Sequence, residues 1–378
     1  MGTTDGSETP LRVAIVAPYD LSRPGGINNQ IRAQAAALRR RGHDARVFGP
    51  ASAALTDPEQ SLGRTISVWF GGTESGLGLD PRAFTAVGRM LRQPFDIIHV
   101  HEPLTPLVPW LVLLRANTPL VGTFHVYRED GHRFYAAFGR WLRPLMRRLN
   151  ARIAVSDAAR RTVAAHFPDE FDIVPNGIDI GRFKESHPRP AVMPGDRPCV
   201  LYVGRLEPRK GVETLIRAMA LVKPHEPRAV LAVVGDGPER SALADLAHRL
   251  DAPVHFVGRV EDDQLPAFFQ AADIVCSPAL GGESFGIVLL EAMACGKPIV
   301  ASRIDGYAEL LAPADCARLV NPGDADGLAR ELTVLLGSAE LRDQLGRCGA
   351  AAATAFDSDA IAGRLEAIYR RVRRSVAL

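Results

Sequence analysis

The sequence predicts an α/β protein built as two parallel-sheet domains, and three observations carry that expectation. Short apolar runs recur at 11–17, 97–100, 120–124, 199–203, 230–234, 274–276 and 299–301. Runs of this length suit strands covered on both faces, as in a parallel sheet. Helical stripes separate them, so strand and helix alternate along the chain. The chain also has 378 residues, more than one ordinary core holds, and a stretch with Pro188, Pro190, Pro194 and Pro198 interrupts the series near its middle. We therefore expect a first domain over 1–190, a second over 191–357 and a closing helix over 358–378.

Composition narrows the class. The apolar fraction of 47% and charged fraction of 23% are those of a globular protein. A net charge of +2 gives no global field to recruit nucleic acid, so any basic surface is local. The cysteines (Cys199, Cys276, Cys295, Cys316, Cys348) lack C-x-x-C spacing and suit reduced thiols, not a metal site. The first ten residues have no apolar core of a signal peptide, and no run of about 18 apolar residues exists to span a membrane. A cytoplasmic protein is expected.

In the first half, Leu11 to Ala17 reads as a strand, followed by Pro18-Tyr19-Asp20 and the loop Pro24-Gly25-Gly26. Glycines there let backbone approach a ligand, although such a pair more often simply makes a turn. Ile27, Ile31, Ala35 and Leu38 keep one face of the next helix, which Gly42 ends. The loop is not G-x-G-x-x-G, which argues against a dinucleotide enzyme. Asp80-Pro81 caps a helix with Phe84, Val87 and Leu91 on its inner face. The strand from Asp96 ends in His99, His101 and Glu102, and the next ends in His125. Polar residues at carboxyl ends of parallel strands are where ligands bind in open α/β sheets. His99 and His101 share a face; fold-supporting hydrogen bonds fit them better than a metal pair. From Phe138 to Arg152, apolar residues (Trp141, Leu142, Leu145, Met146, Leu149) alternate with five arginines in a helical pattern. Such a helix can lie on an anionic membrane, or it is a plain surface helix with solvated charges.

In the second half, the strand from Cys199 leads into Gly204-Arg205-Leu206-Glu207-Pro208-Arg209-Lys210-Gly211. Cations on a glycine-bounded loop after a strand are what a diphosphate needs, or they are solvated loop charges. Further strands start at Val230, Val254, Ile274 and Ile299, and Ile361, Leu365, Ile368 and Val372 make one stripe of a last helix.

The stretch Leu280 to Pro298, L-G-G-E-S-F-G-I-V-L-L-E-A-M-A-C-G-K-P, is the chemical centre of the sequence. It is apolar at almost every position from Phe285 to Cys295, too crowded for a one-sided helix. Gly296 reads as its C-terminal stop. Glu291 sits inside it and needs a partner, because a buried unpaired carboxylate costs several kcal/mol. The amides of Ser284, Phe285, Gly286 and Ile287 form an anion site at a helix start. A sugar nucleotide satisfies all three features, with diphosphate on the amides, sugar hydroxyls on Glu283 and ribose hydroxyls on Glu291. A core helix whose Glu291 pairs with an arginine is the alternative.

Glu283 and Glu291, with seven residues between them, resemble the E-x7-E signature of family 4 retaining glycosyltransferases. The likeness runs from about Val13 to about Tyr369 and looks closest to bacterial phosphatidylinositol mannosyltransferases. It implies the GT-B fold: two facing Rossmann-like domains, a nucleotide sugar in the interdomain cleft and a last helix crossing back onto the first domain. It implies that Tyr19, Gly25, Gly26 and Asn28 line the substrate site around the glycine loop. His125, in Thr123-Phe124-His125, would then hydrogen-bond the transferred sugar, for instance at its C6 hydroxyl, while Arg205 and Lys210 neutralise the leaving diphosphate. The expected reaction needs no cofactor or metal. It moves mannose from GDP-mannose to an alcohol, an inositol-containing lipid being the leading acceptor, with retention and same-face attack. Alternatives are a UDP-sugar enzyme with a soluble acceptor, a sugar-nucleotide epimerase and a silent scaffold. Two features differ from that subfamily: the helix after Pro81 carries only Arg82, Arg89 and Arg92, and Asn28 stands where it has a glutamine. Contact with the inner face of an anionic membrane is a further expectation.

Overall fold

A computed structural model describes residues 9–23, 25–56, 58–70, 73–77, 80–129 and 131–376. Most of the polar leader, and Pro24 of the glycine loop, lie outside the described residues. The chain forms two units, Met1–Gly177 with Ser358–Leu378, and Ile178–Asp357.

The first unit is a seven-stranded parallel sheet. Its order across the sheet is Glu59–Ser61, Asp44–Gly49, Arg12–Val16, Ile97–His101, Leu120–Phe124, Ala151–Ala154, Asp172–Ile173. Strand order reverses between Arg12–Val16 and Ile97–His101, which pair in parallel from Val13↔Ile97 to Val16↔Val100. Loops leaving the carboxyl ends of these strands part there and leave a crevice. The helix Ser358–Val376 packs in this unit, burying Ile361, Leu365, Ile368, Tyr369 and Val372. Arg41 holds Glu366 at 2.8 Å on the same helix.

The second unit is a six-stranded parallel sheet ordered Val254–Gly258, Val230–Val234, Cys199–Val203, Ile274–Ser277, Ile299–Ser302, Ala317–Val320. Its reversal lies between Cys199–Val203 and Ile274–Ser277. Apolar clusters fill both faces of each sheet, as the continuous apolar strand runs require. The proline-rich stretch after Gly181 begins in a short helix, Ile180–Lys184, whose Phe183 is buried in the second unit.

Three local expectations are corrected. Phe84 is 56% exposed, with the Arg115 guanidinium 4.0 Å above its ring, so it is not a core residue. The basic helix spans Arg133–Met146, not 138–152, because Asn150 turns to cap the neighbouring strand and Arg152 lies in Ala151–Ala154. Trp141, 79% exposed, sits outside its buried stripe of Tyr135, Leu142, Leu145 and Met146. All five cysteines are free.

Candidate active site

In the second unit, the reversal of strand order brings two loops together. One follows Val203 and carries Arg205 to Gly211; the other follows Ser277 and carries Gly281 to Gly286. Leu280 N–H donates to the Arg209 carbonyl at 2.8 Å, tying the loops to one another. Gly211 permits the approach: it has φ +67°, and a Cβ there would lie 2.1 Å from the Pro278 carbonyl oxygen. Gly306 makes the second close contact, since a Cβ would lie 2.2 Å from the Glu283 carbonyl oxygen.

The charges on these loops form a chain. Lys210 Nζ is 2.8 Å from Glu283 Oε1, and Arg209 Nη1 bonds the same oxygen. Arg209 Nε reaches Glu207 Oε2 at 3.2 Å, and Arg205 Nη2 lies 3.0 Å from Glu207 Oε1. Three cations against two carboxylates leave one net positive charge. Burial alone would raise the Glu283 pKa, but Lys210 and Arg209 outweigh it and hold the carboxyl below its usual range. The amides of Ser284 to Ile287 donate no hydrogen bond among the described residues. The helix starts two residues into the apolar run that begins at Phe285, spanning Ile287–Ala294, because Gly286 at its N-cap has φ 94°.

Glu291 is on this helix, half-buried, and has no hydrogen bond or ion pair among the described residues. Arg182, the arginine whose charge acts on Glu291, is paired with Asp262 at 2.7 Å. The arginine pairing considered as the alternative for Glu291 is therefore not formed. Burial, then the negative charge of Asp262, lift the Glu291 pKa to about 8, with Arg182 opposing.

The first unit gathers a different group at its own reversal point. His99 and His101 alternate with apolar neighbours on the strand Ile97–His101, and their rings stack with centroids 4.5 Å apart. His99 bonds Tyr369 Oη and Thr123 Oγ1, both at 2.7 Å. His101 Nδ1 lies 2.8 Å from His125 Nε2. Glu102 follows, with φ 44°, and its Oε1 accepts the His125 and Val126 amides at 2.5 and 2.9 Å. Burial lifts Glu102 to a pKa of about 7, against those two amides, and lowers His125 to about 3. Tyr19 is raised by burial and by the Glu102 charge nearby.

Of the residues expected to bind substrate, Lys210, Glu283 and Ser284 to Ile287 are brought together, and Arg205 joins them through Glu207. Tyr19 and His125 share the neighbourhood of Glu102. Gly25 and Gly26 are exposed, and a side chain added at Gly25 would meet open space, so the fold does not require glycine there. Asn28 is buried, and its Oδ1 has no hydrogen-bond partner among the described residues. Its Nδ2 donates to the Asp20 and Arg23 carbonyls at 2.7 and 2.9 Å, so its amide holds the preceding loop. Sequence reasoning counted Arg209 only among the loop cations, with no individual role, and gave none to Glu102. The signals were there, an R-K doublet and a carboxylate at a strand end, but which cation reaches Glu283 depends on the short 3-10 turn Pro208–Lys210.

Comparisons with known proteins bear on the family and the fold of the chain. Residues 24–182 match the model of Glycosyltransferase Family 4, and residues 183–351 match that of Glycosyl transferases group 1. A phosphatidyl-myo-inositol mannosyltransferase of Mycobacterium leprae is 35% identical over 97% of this chain and 98% of its own length. A D-inositol 3-phosphate glycosyltransferase of Segniliparus rotundus is 31% identical over 94% of this chain and 86% of its own. The crystal structure of Anabaena HepE with UDP and glucose superposes with a TM-score of 0.76 at 22% identity, covering 95% of this chain and 99% of that one, a likeness of fold.

Proposed function

Because the chain belongs to the family 4 glycosyltransferases, we propose that it moves mannose from GDP-mannose to the inositol of a phosphatidylinositol-type lipid, retaining the anomeric configuration. The carrying observation is the pair of carboxylates with seven residues between them, Glu283 held by Arg209 and Lys210, and Glu291 left without a partner among the described residues. In this reading Glu291 binds the ribose hydroxyls, Glu283 binds sugar hydroxyls, and the free amides of Ser284 to Ile287 take the diphosphate. Breaking the glycosidic bond to the diphosphate builds negative charge on it, which Lys210, Arg205 and Arg209 stabilise. Charge developing on the sugar ring is met by the Glu283 carboxylate. The acceptor hydroxyl attacks from the face the diphosphate leaves, and a phosphate oxygen takes its proton. His125 offers a hydrogen bond to the sugar, and Tyr19 with the Gly25–Gly26 loop contacts the acceptor side.

Incubation with GDP-mannose and phosphatidylinositol vesicles is expected to give an α-mannosyl lipid, with EDTA leaving the rate essentially unchanged. UDP-glucose and UDP-N-acetylglucosamine with soluble inositol phosphate form the comparison arm. Turnover confined to the UDP-sugars would move the assignment to that chemistry. Loss of activity on chelation, restored by magnesium or manganese, would overturn the charge accounting.

The lipid acceptor is supported by one face of the first unit. Helices Arg82–Leu91, Val108–Arg115 and Arg133–Met146 carry six arginines and no Asp or Glu. Phe84, Leu114, Phe138 and Trp141 on these helices are exposed. No helix among the described residues is long and apolar enough to cross a membrane. Arginines beside exposed aromatics suit an anionic lipid surface. Trp141→Ser with Phe138→Ser is expected to lower co-sedimentation with phosphatidylglycerol vesicles while leaving the melting temperature within about 2 °C, as surface changes do. Unchanged sedimentation would remove this face from membrane contact.

A further inference from the structure

The mechanism uses the ring of His125 and leaves unexplained the histidine behind it. His101 is fully buried at the end of the strand Ile97–His101, sandwiched between His99 and His125, whose ring centroids lie 4.5 and 5.0 Å from its own. Its Nδ1 meets His125 Nε2 at 2.8 Å, while its Nε2 is buried with no hydrogen-bond partner among the described residues. Between two neutral imidazoles that contact holds a single proton, and the buried Nε2 tells which ring owns it. If His125 Nε2 carried the proton, His101 Nδ1 would be the acceptor, and His101 would bear its own proton on Nε2. A buried N–H would then have no acceptor. In the opposite arrangement only a lone pair goes unmatched, and orphaned buried N–H groups are the rarer defect in folded proteins. Burial lowers the pKa of His101 and His125 alike, so a doubly protonated ring is no alternative.

We propose that His101 is a positioning residue that donates from Nδ1 to His125 Nε2, fixing His125 in the tautomer whose Nδ1–H is free to donate to an oxygen of the bound sugar. Glu102 completes the placement from the other side, its Oε1 taking the His125 main-chain amide at 2.5 Å. One residue sets the ring's proton and its sequence neighbour sets the backbone. His125 Nδ1 has no hydrogen bond among the described residues, so the donor stays available. His99 belongs to the fold instead: both its nitrogens are taken, by Tyr369 and Thr123. This inference rests on the reading of His125 as a sugar contact for its purpose, but not for its first test.

That test is the tautomer itself. Full-length protein labelled with 15N-histidine, observed by long-range 1H–15N correlation with a His125→Asn variant for assignment, is expected to show a protonated Nδ1 and an unprotonated Nε2 at His125. The reverse pattern overturns the proposal whatever the substrate. The second test uses GDP-mannose turnover in two variants. His101→Gln keeps a side-chain N–H toward His125 and is expected to hold kcat within about threefold, whereas His101→Leu removes the donor and should cost about tenfold or more in kcat with little change in KM, the pattern of a lost transition-state contact. Equal losses in both variants, or wild-type kcat in His101→Leu, would reduce His101 to core packing. If His101→Leu fails to fold, the spectrum of the wild type still decides. If the wild type turns over no nucleotide sugar at all, the functional assignment fails while the tautomer result stands.

Discussion

Lys210→Ala is expected to slow sugar transfer at least about a hundredfold, the scale of losing one preorganised charge partner in the transition state. Lys210 is the most confined cation of the cluster, its side chain 18% exposed and its Nζ 2.8 Å from Glu283. A confined charge next to a forming diphosphate is screened less than one in open solvent. Arg205→Ala should act in the same direction, although Arg205 is 52% exposed. Arg209→Ala is expected to lower activity by a second route as well: it strips Glu283 of one of its two cations and lets burial raise that carboxyl. A surface control separates site from fold. Arg217 pairs with Glu213 one helical turn away at 2.8 Å, and Arg217→Ala should leave kcat unchanged, since exposed pairs of this kind contribute about 0.3–0.5 kcal/mol. Near-normal kcat in Lys210→Ala would remove that residue from the diphosphate site.

The second large effect concerns Glu291 and is read through pH. Its pKa of about 8 in the folded protein lies above the ordinary carboxyl value of 4.5. The fold therefore favours the protonated form. Whatever stability this carboxyl contributes is fully present below about pH 4.5 and is lost as the pH rises through about 8. Glu291→Gln removes the ionisation, so the unliganded variant should gain melting temperature relative to wild type as the pH goes from 5 to 8. Nucleotide binding should move the other way. An ionised Glu291 accepting both ribose hydroxyls makes charge-assisted bonds of about 1.5–3 kcal/mol each. The nucleoside diphosphate then prefers the deprotonated form, and affinity of the wild type should rise toward pH 8 with proton release. In Glu291→Gln the affinity should drop about tenfold or more and lose that part of its pH dependence. Melting curves with and without GDP and UDP at pH 6 and pH 8 check both halves, because ligand stabilisation follows affinity. Nucleotide affinity unchanged in Glu291→Gln would sink the ribose role.

Much of this was legible in the sequence because it depends on local pattern. The apolar runs marked the strands of the two parallel sheets, since a strand covered on both faces has no polar side to show. The spacing of Glu283 and Glu291 around a glycine-bounded helix start was equally local, as was the arginine–lysine loop after Val203. Partner choice is not local. Arg205, Arg209 and Lys210 lie within six residues of one another, and only the turn at Pro208–Lys210 decides that Arg209 and Lys210 reach Glu283 while Arg205 stays with Glu207. Arg182 lies 109 positions before Glu291, and it is Asp262, brought in by a separate short turn, that pairs with it and leaves Glu291 without an ion pair among the described residues. Nor could the sequence show that the Nδ2 of Asn28 holds the loop carbonyls of Asp20 and Arg23 while its Oδ1 stays without a partner among the described residues. The exposure of Phe84 and Trp141 was likewise hidden, because an aromatic on a helix reads as core until the neighbouring helices are placed. The sequence by itself determined the two sheets and the chemical character of their loops, since backbone pattern and residue type act over a few positions. The tertiary structure decided which charges pair, which carboxylate stays unpaired and which histidine stands behind His125, because those choices depend on distances between strand ends that only the packed sheets set.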